Sequence, residues 1–294
     1  LFGTDALNWG ELRWAGEGEA PVAGTHTLCA DFVSLAFAHE PVVRHGPRAL
    51  ALEAEERAAL LDALQAEFPE WGRFDARGTR GYLHTTRSLA VRFTPLFEAI
   101  GQPLSQIEPE GEDATSWRRL ANEVQILLHQ HPVNRARAER GLPAANALWL
   151  WGEPTATTRL QSPAPMLIGD DPLLRGLAQA SGAEWRGTAA VGFPGHGPAG
   201  QSWVWEDGLR EPALDGSPAE WEEALSQLDS SLIGPLFQAW QAGRIRELVL
   251  LAPSEYGGLR ATLGFAQRLA FWKKPLSTAA LSAAFEQASQ YRQP

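Results

Sequence analysis

His129-Gln-His-Pro-Val-Asn-Arg-Ala-Arg-Ala-Glu-Arg-Gly-Leu-Pro-Ala-Ala-Asn-Ala-Leu-Trp-Leu-Trp-Gly152 closes an amphipathic helix at a proline, crosses an arginine-rich connector and enters a short apolar strand. Pro132 has no N–H and pushes His131 out of the helical region, so the helix is predicted to stop there. Asn134–Asn146 then reads as a loop with polar side chains to spare. Residues 147–151 are apolar at every position, the pattern of a strand buried on both faces of a parallel sheet. Polar residues just outside such a sheet are candidates for binding.

Upstream of this stretch, Trp117, Leu120, Ala121, Val124, Leu127, Leu128 and His131 recur at helical spacing and predict a helix over 114–131. Residues 1–25 read as loop, with Leu12 and Trp14 as anchors. Leu28–His39 has the partial alternation of a half-buried strand. Leu50, Leu60, Leu61, Leu64 and Phe68 predict a helix over 50–68, with Glu53, Glu55 and Glu56 near its start, where the dipole favours acids. Residues 71–97 look strand-rich, with Tyr82–His84 and Leu89–Phe93 as short runs, and Gly101–Asp113 reads as loop.

Downstream, a polar connector at Thr155–Pro165 leads to a helix over Asp171–Gly182, with Pro172 in its first turn and Gly182 as its stop. Gly192–Gly200 reads as loop, Trp203–Glu206 as a short strand and Ser217–Gly243 as a long helix. Glu247–Ala252 gives the strongest buried-strand signal and is followed by the segment Leu259–Ala270. Strand alternating with helix predicts βαβ crossovers. The expected fold is therefore α/β, a mainly parallel sheet flanked by helices, with an inserted α+β lobe. Residues 1–25 begin the core, 26–130 form the lobe, and 131–294 supply the connector and the rest of the core.

The chain has 294 residues, enough for a sizeable core, and its 44% hydrophobic and 20% charged content is ordinary for a globular protein. A formal charge of −10 argues against a nonspecific nucleic-acid binder, which needs a basic footprint. It leaves room for one local arginine cluster to hold a small anion. A single cysteine, Cys29, allows neither an intramolecular disulfide nor a cysteine-based zinc site and favours a reducing, cytoplasmic compartment. No run approaches the roughly 18 apolar residues of a membrane span.

His131-Pro-Val-Asn134, Arg137, Gly141, Pro143 and Asn146 through Gly152 resemble the H-P-[IV]-N, R, G-x-P-x-A-N-x-L-x-x-x-G signature of the archaeal-type, cofactor-independent phosphoglycerate mutases and their bacterial predicted-mutase or regulatory relatives. The signature is long and irregularly spaced, and weaker similarity runs from the opening Leu-Phe-Gly to about residue 255. The resemblance implies an alkaline-phosphatase-like core in which two divalent ions, manganese or magnesium, activate a serine that is transiently phosphorylated. It places that serine upstream of Leu1. It also implies metal ligands from D-G-x-G-D, D-x-x-G-H-D and G-D-H-S segments, and this chain departs from each of them. The first is absent, the second reads Pro212-Ala213-Leu214-Asp215, and the third reads Ala252-Pro253-Ser254-Glu255. The D-P-H of the inserted domain resembles Glu108-Pro109-Glu110.

Other constellations carry less. Gly195-His-Gly-Pro-Ala-Gly200 matches a dinucleotide fingerprint in letters, but Pro198 interrupts it and a strand follows it where a helix is required. His129 and His131, two apart, cannot chelate one metal from a helix face. Arg135, Arg137 and Arg140 form either a solvated face or a phosphate clamp.

Two function classes follow. One is a noncatalytic mutase relative with no cofactor that binds a phosphorylated metabolite or a protein partner. The other is an active phosphotransferase with an altered manganese or magnesium site. In both, Asn134, Arg137 and Asn146 are the expected substrate-binding residues, lining a cleft between lobe and core. If Arg137 is a clamp, its removal should leave folding unchanged. If it is a brace, it should pair with an acid such as Glu139 or Glu153. Among the tryptophans, Trp9, Trp14, Trp149, Trp151, Trp203, Trp205 and Trp272 are expected in core or interface.

Overall fold

Twelve residues, β1 (His26–Phe37), carry the largest sheet of the protein. The computed structural model describes residues 7–37, 40–87, 89–154, 160–188, 200–215, 217–254 and 257–269. Residues 192–199 of the expected loop, Glu255 and Trp272 lie outside them. The first part of the chain runs α1 (Trp9–Gly16), β1, β2 (Pro41–His45), α2 (Pro47–Leu50), α3 (Ala54–Glu67), β3 (Arg73–Arg77), β4 (Arg80–Thr85), α4 (Leu96–Ala99), α5 (Ala114–Gln130), α6 (Pro132–Glu139) and β5 (Ala147–Trp151). The sheet order is β2-β1-β4-β3, with β5 also on β1, and every pairing is antiparallel.

β5 therefore corrects the expectation of a parallel sheet at this point. It runs antiparallel to β1 in the register Val33↔Ala147 to Cys29↔Trp151. Its apolar run is explained by cover from two helices. Leu148 and Leu150 belong to the core that α3 and α5 fill with Leu60, Leu64, Trp117, Leu120, Val124 and Leu128. Arg13 of α1 lies over the Trp151 ring at 5.2 Å and binds Asp31 of β1 through both terminal nitrogens, at 2.8 and 3.0 Å. A strand covered twice looks the same in sequence whichever way its neighbours run. The sheet also continues across residue 130, so the core of the 26–130 segment includes β5.

Residues 7–25 are not all loop, because α1 occupies part of them and buries Trp14 as the expected anchor. Two glycines let α1 lie directly on α7 (Pro172–Ser181). A Cβ at Gly16 would sit 1.7 Å from the Pro172 carbonyl oxygen, and one at Gly176 would sit 1.8 Å from that of Leu12. α7 forms as its sequence predicts, with the Asp171 carboxylate accepting from the Leu173 N–H at 2.7 Å and Gly182 left-handed at its end. It joins β6 (Met166–Ile168) to β7 (Glu184–Arg186), and β8 (Ser202–Val204) completes a parallel sheet of order β7-β6-β8. This small sheet is the parallel part of a mixed α/β fold.

The described residues fall into two compact units, one running to Trp221 and one from Glu222 onward. After α8 (Arg210–Asp215), the long helix predicted at 217–243 appears as α9 (Pro218–Leu228), a π-helical turn at Asp229–Ile233 and α10 (Gly234–Gln241). β9 (Leu248–Ser254) then turns straight back as β10 (Gly257–Leu263), an antiparallel hairpin where a crossover was expected, before α11 (Phe265–Leu269).

Candidate functional site

The connector is ordered by its own polar side chains. Pro132 ends α5 as its chemistry requires, but it then serves as the first residue of a new helix, α6, where a missing N–H costs nothing. The predicted loop is therefore half helix. His131 caps it, its Nδ1 accepting from the Val133 N–H at 3.2 Å.

Asn134 is buried. Its Nδ2 donates to the carbonyls of Leu128 at 2.8 Å and Ala145 at 2.9 Å, while its Oδ1 accepts from the Ala145 N–H at 2.8 Å. Asn146 repeats the device one strand over. Its amide donates to Leu35 O at 2.9 Å and accepts from Leu35 N at 2.7 Å, so one side chain continues the β1–β5 ladder beyond Ala147.

Arg137 is 1% exposed. Its Nε donates to Pro143 O at 2.9 Å, its Nη2 to Leu50 O at 2.6 Å and its Nη1 to Glu56 at 2.6 Å. Its acid is thus Glu56, from the first turn of α3, and not Glu139 or Glu153. Sequence reasoning missed this partner because 81 residues separate the pair. The signal that could have found it is the capping box at the start of α3, in which the Glu56 carboxylate also accepts from the Glu53 N–H. Arg140 adds exposed pairs to Glu53 and Glu56 at 3.0 and 3.2 Å. Glu153 receives the Phe93 N–H at 3.3 Å, and burial pushes its carboxyl above the usual range.

Beside these braces lies a depression of about 730 Å³ lined by His129, Gln130, Asn134, Arg135, Ala138, Ala144 and Asn146. The structure thus brings Asn134 and Asn146 together on one wall, and Arg137 is not part of that lining. Arg135 is exposed there. Burial, and then the charge of Arg135, push the half-buried His131 imidazole below its ordinary value.

No protein-family model matches the chain. It is 25% identical over 231 residues to the 2,3-bisphosphoglycerate-independent phosphoglycerate mutase of Methanothrix thermoacetophila, covering 69% of this chain and 56% of that protein. The chain is thus similar in sequence to 2,3-bisphosphoglycerate-independent phosphoglycerate mutases. A probable mutase of Geobacter sulfurreducens is 29% identical over 126 residues, 42% of this chain and 31% of that protein. The chain thus spans about half the length of the first of these relatives, and less of the second. The solved cofactor-independent phosphoglycerate mutase of Thermoplasma acidophilum aligns with a TM-score of 0.39 at 16% identity, over 75% of this chain and 64% of that one.

The metal ligands that mutase resemblance implies meet other residues here. Pro212 and Ala213 lie on α8, and Ser254 pairs with Gly257 inside the hairpin. Glu108 binds Arg118 Nη1 at 2.7 Å, and Glu110 pairs with Arg92, so both carboxylates of the Glu-Pro-Glu segment already have cations. Among the described residues, no three His, Cys, Asp or Glu side chains converge into a group able to hold a metal ion. No described helix is long and apolar enough to cross a membrane.

Proposed function

We propose that this chain is a phosphoglycerate-mutase-like protein that binds a phosphorylated metabolite, or a partner recognised through the same surface, without the two-metal phosphotransfer of its relatives. The observation that carries the reading is the residue set at the ligand positions: Leu214, then Pro253 and Ser254, where the resemblance calls for histidine, aspartate and histidine, with Asp215 alone matching its segment. Two clustered cations stabilise both the attacking and the leaving oxygen in such chemistry, and losing them removes several kcal/mol of transition-state stabilisation. Binding is supported by the depression walled by Asn134 and Asn146, with Arg137 holding the connector in place. In this reading the protein needs no resident cofactor and works in the cytoplasm in a regulatory role.

The names of the relatives favour a second reading, an active mutase with manganese or magnesium in an altered site. The deciding experiment uses the full-length protein, assayed for interconversion of 2- and 3-phosphoglycerate with either metal, alongside its metal content. No turnover and no bound metal is the expected result. Turnover that a chelator abolishes, with about two metal equivalents per chain, would establish the enzyme instead.

A further inference from the structure

The walls of the depression divide by what their polar groups already do. Asn134 and Asn146 already bond backbone groups of Leu128, Ala145 and Leu35. His129, Gln130 and Arg135 are exposed, and their side chains make no hydrogen bond or ion pair among the described residues. Neighbouring arginines behave differently. Arg137 and Arg140 share Glu56, Arg118 holds Glu108 and Arg119 holds Glu123.

No carboxylate lines the depression. An unpaired guanidinium beside an amide and an imidazole, all able to donate, is therefore left facing open space in a chain of net charge −10. The effect of that guanidinium is already felt locally, since its charge helps to push His131 down. A guanidinium fork matches the two oxygens of a phosphate or carboxylate, and 730 Å³ falls within the range of small-molecule pockets.

We propose that His129, Gln130 and Arg135 form a subsite for a small oxyanion, the phosphate or carboxylate group of a metabolite, with Arg135 as its bidentate contact. The proposal rests on the binding half of the function given above and sharpens it, since it assigns the anion to Arg135 and leaves Arg137 as a brace.

The test titrates the full-length protein by calorimetry with inorganic phosphate, 3-phosphoglycerate and glycerate, each to about 10 mM. Saturable binding of 3-phosphoglycerate is expected, weakened about 10-fold or more in Arg135→Ala and unchanged in Arg140→Ala, whose arginine is already paired. Binding of phosphate but not glycerate assigns the phosphoryl group, whereas comparable binding of glycerate assigns the carboxylate. The Arg135→Ala protein should melt at the wild-type temperature without ligand, because that side chain holds nothing in the fold. Turnover in the same samples would remove the noncatalytic reading and leave the subsite standing. Equal affinity of wild type and Arg135→Ala, or no saturable binding of any of the three anions, would overturn the subsite and leave that reading untouched.

Discussion

β5 and β9 both carry an apolar run, Ala-Leu-Trp-Leu-Trp and Leu-Val-Leu-Leu-Ala-Pro-Ser, yet they end in different surroundings. Leu148, Leu150 and Trp151 are 5%, 7% and 4% exposed, whereas Leu250 and Leu251 are each 43% exposed. β5 pairs with β1 and has α5 packed on it, while α1 reaches Trp151. β9 pairs with β10 and has a smaller contact with α10. Apolarity made both segments strands. Burial followed where helices cover the strand, so a similar apolar signal contributes different free energies in the two units.

The largest test of that contrast is Trp151→Ala. It removes ring contacts with Trp9 and Phe97 and the indole N–H that the Asp31 carboxylate accepts at 2.8 Å. We expect a loss of about 4 kcal/mol in urea unfolding of the N-terminal unit. A loss under about 1 kcal/mol would mean that β5 is not a core strand.

Next comes Arg137→Ala, which leaves Glu56 with Arg140 as its remaining arginine and frees the carbonyls of Leu50 and Pro143. Leaving those carbonyls without their donor costs about 1–3 kcal/mol each, so the melting midpoint should fall clearly. The sequence reading of Arg137 as a clamp expected no change. An unaltered midpoint would restore that reading.

A third test probes how tightly the antiparallel sheet is closed. His84 of β4 is buried, its Nδ1 lies 3.0 Å from Thr27 Oγ1, and burial, followed by the charge of Arg73, pushes the imidazole down from 6.5 to about 4. A depressed histidine binds its proton more readily in the unfolded chain. Its contribution is therefore complete above about pH 6.5 and is lost as pH falls toward 4, because protonation favours unfolding. Urea midpoints at pH 7 and 4.5 should differ by about 2–3 kcal/mol for this group, and His84→Gln should flatten the difference. Unchanged pH dependence in that variant would show the ring to be solvated.

Asn146→Ala should cost about 1–2 kcal/mol, since Leu35 loses the partner of both its N–H and its carbonyl. Amide exchange at Leu35 should accelerate. Smallest of all, Leu250→Ala on β9 should cost under about 1 kcal/mol, in keeping with its exposure. A cost as large as that of a β5 substitution would reveal a covering surface on β9 and erase the contrast.

Some elements needed no tertiary information. The stop at Gln130, the cap and glycine exit of α7 and the stripe Trp117, Leu120, Val124 and Leu128 follow from proline, aspartate, glycine and a helical period. The same is true of the departures at Leu214, Pro253 and Ser254 from the segments that the resemblance implies, which are matters of identity alone. Strand direction, by contrast, could not be read, because a strand covered on both faces has no alternation to report and its pairing is set by neighbours more than 100 residues away. The roles of Asn134, Arg137 and Asn146 were legible as polar groups with work to do, but not as ligands or braces. Which arginine is engaged and which is left over depends on where Glu56 lands when α3 folds against the connector. A guanidinium beside a half-buried carboxylate and two carbonyls is held in the fold, and Arg135, two residues away, has no such neighbours; only the three-dimensional arrangement of charge separates them.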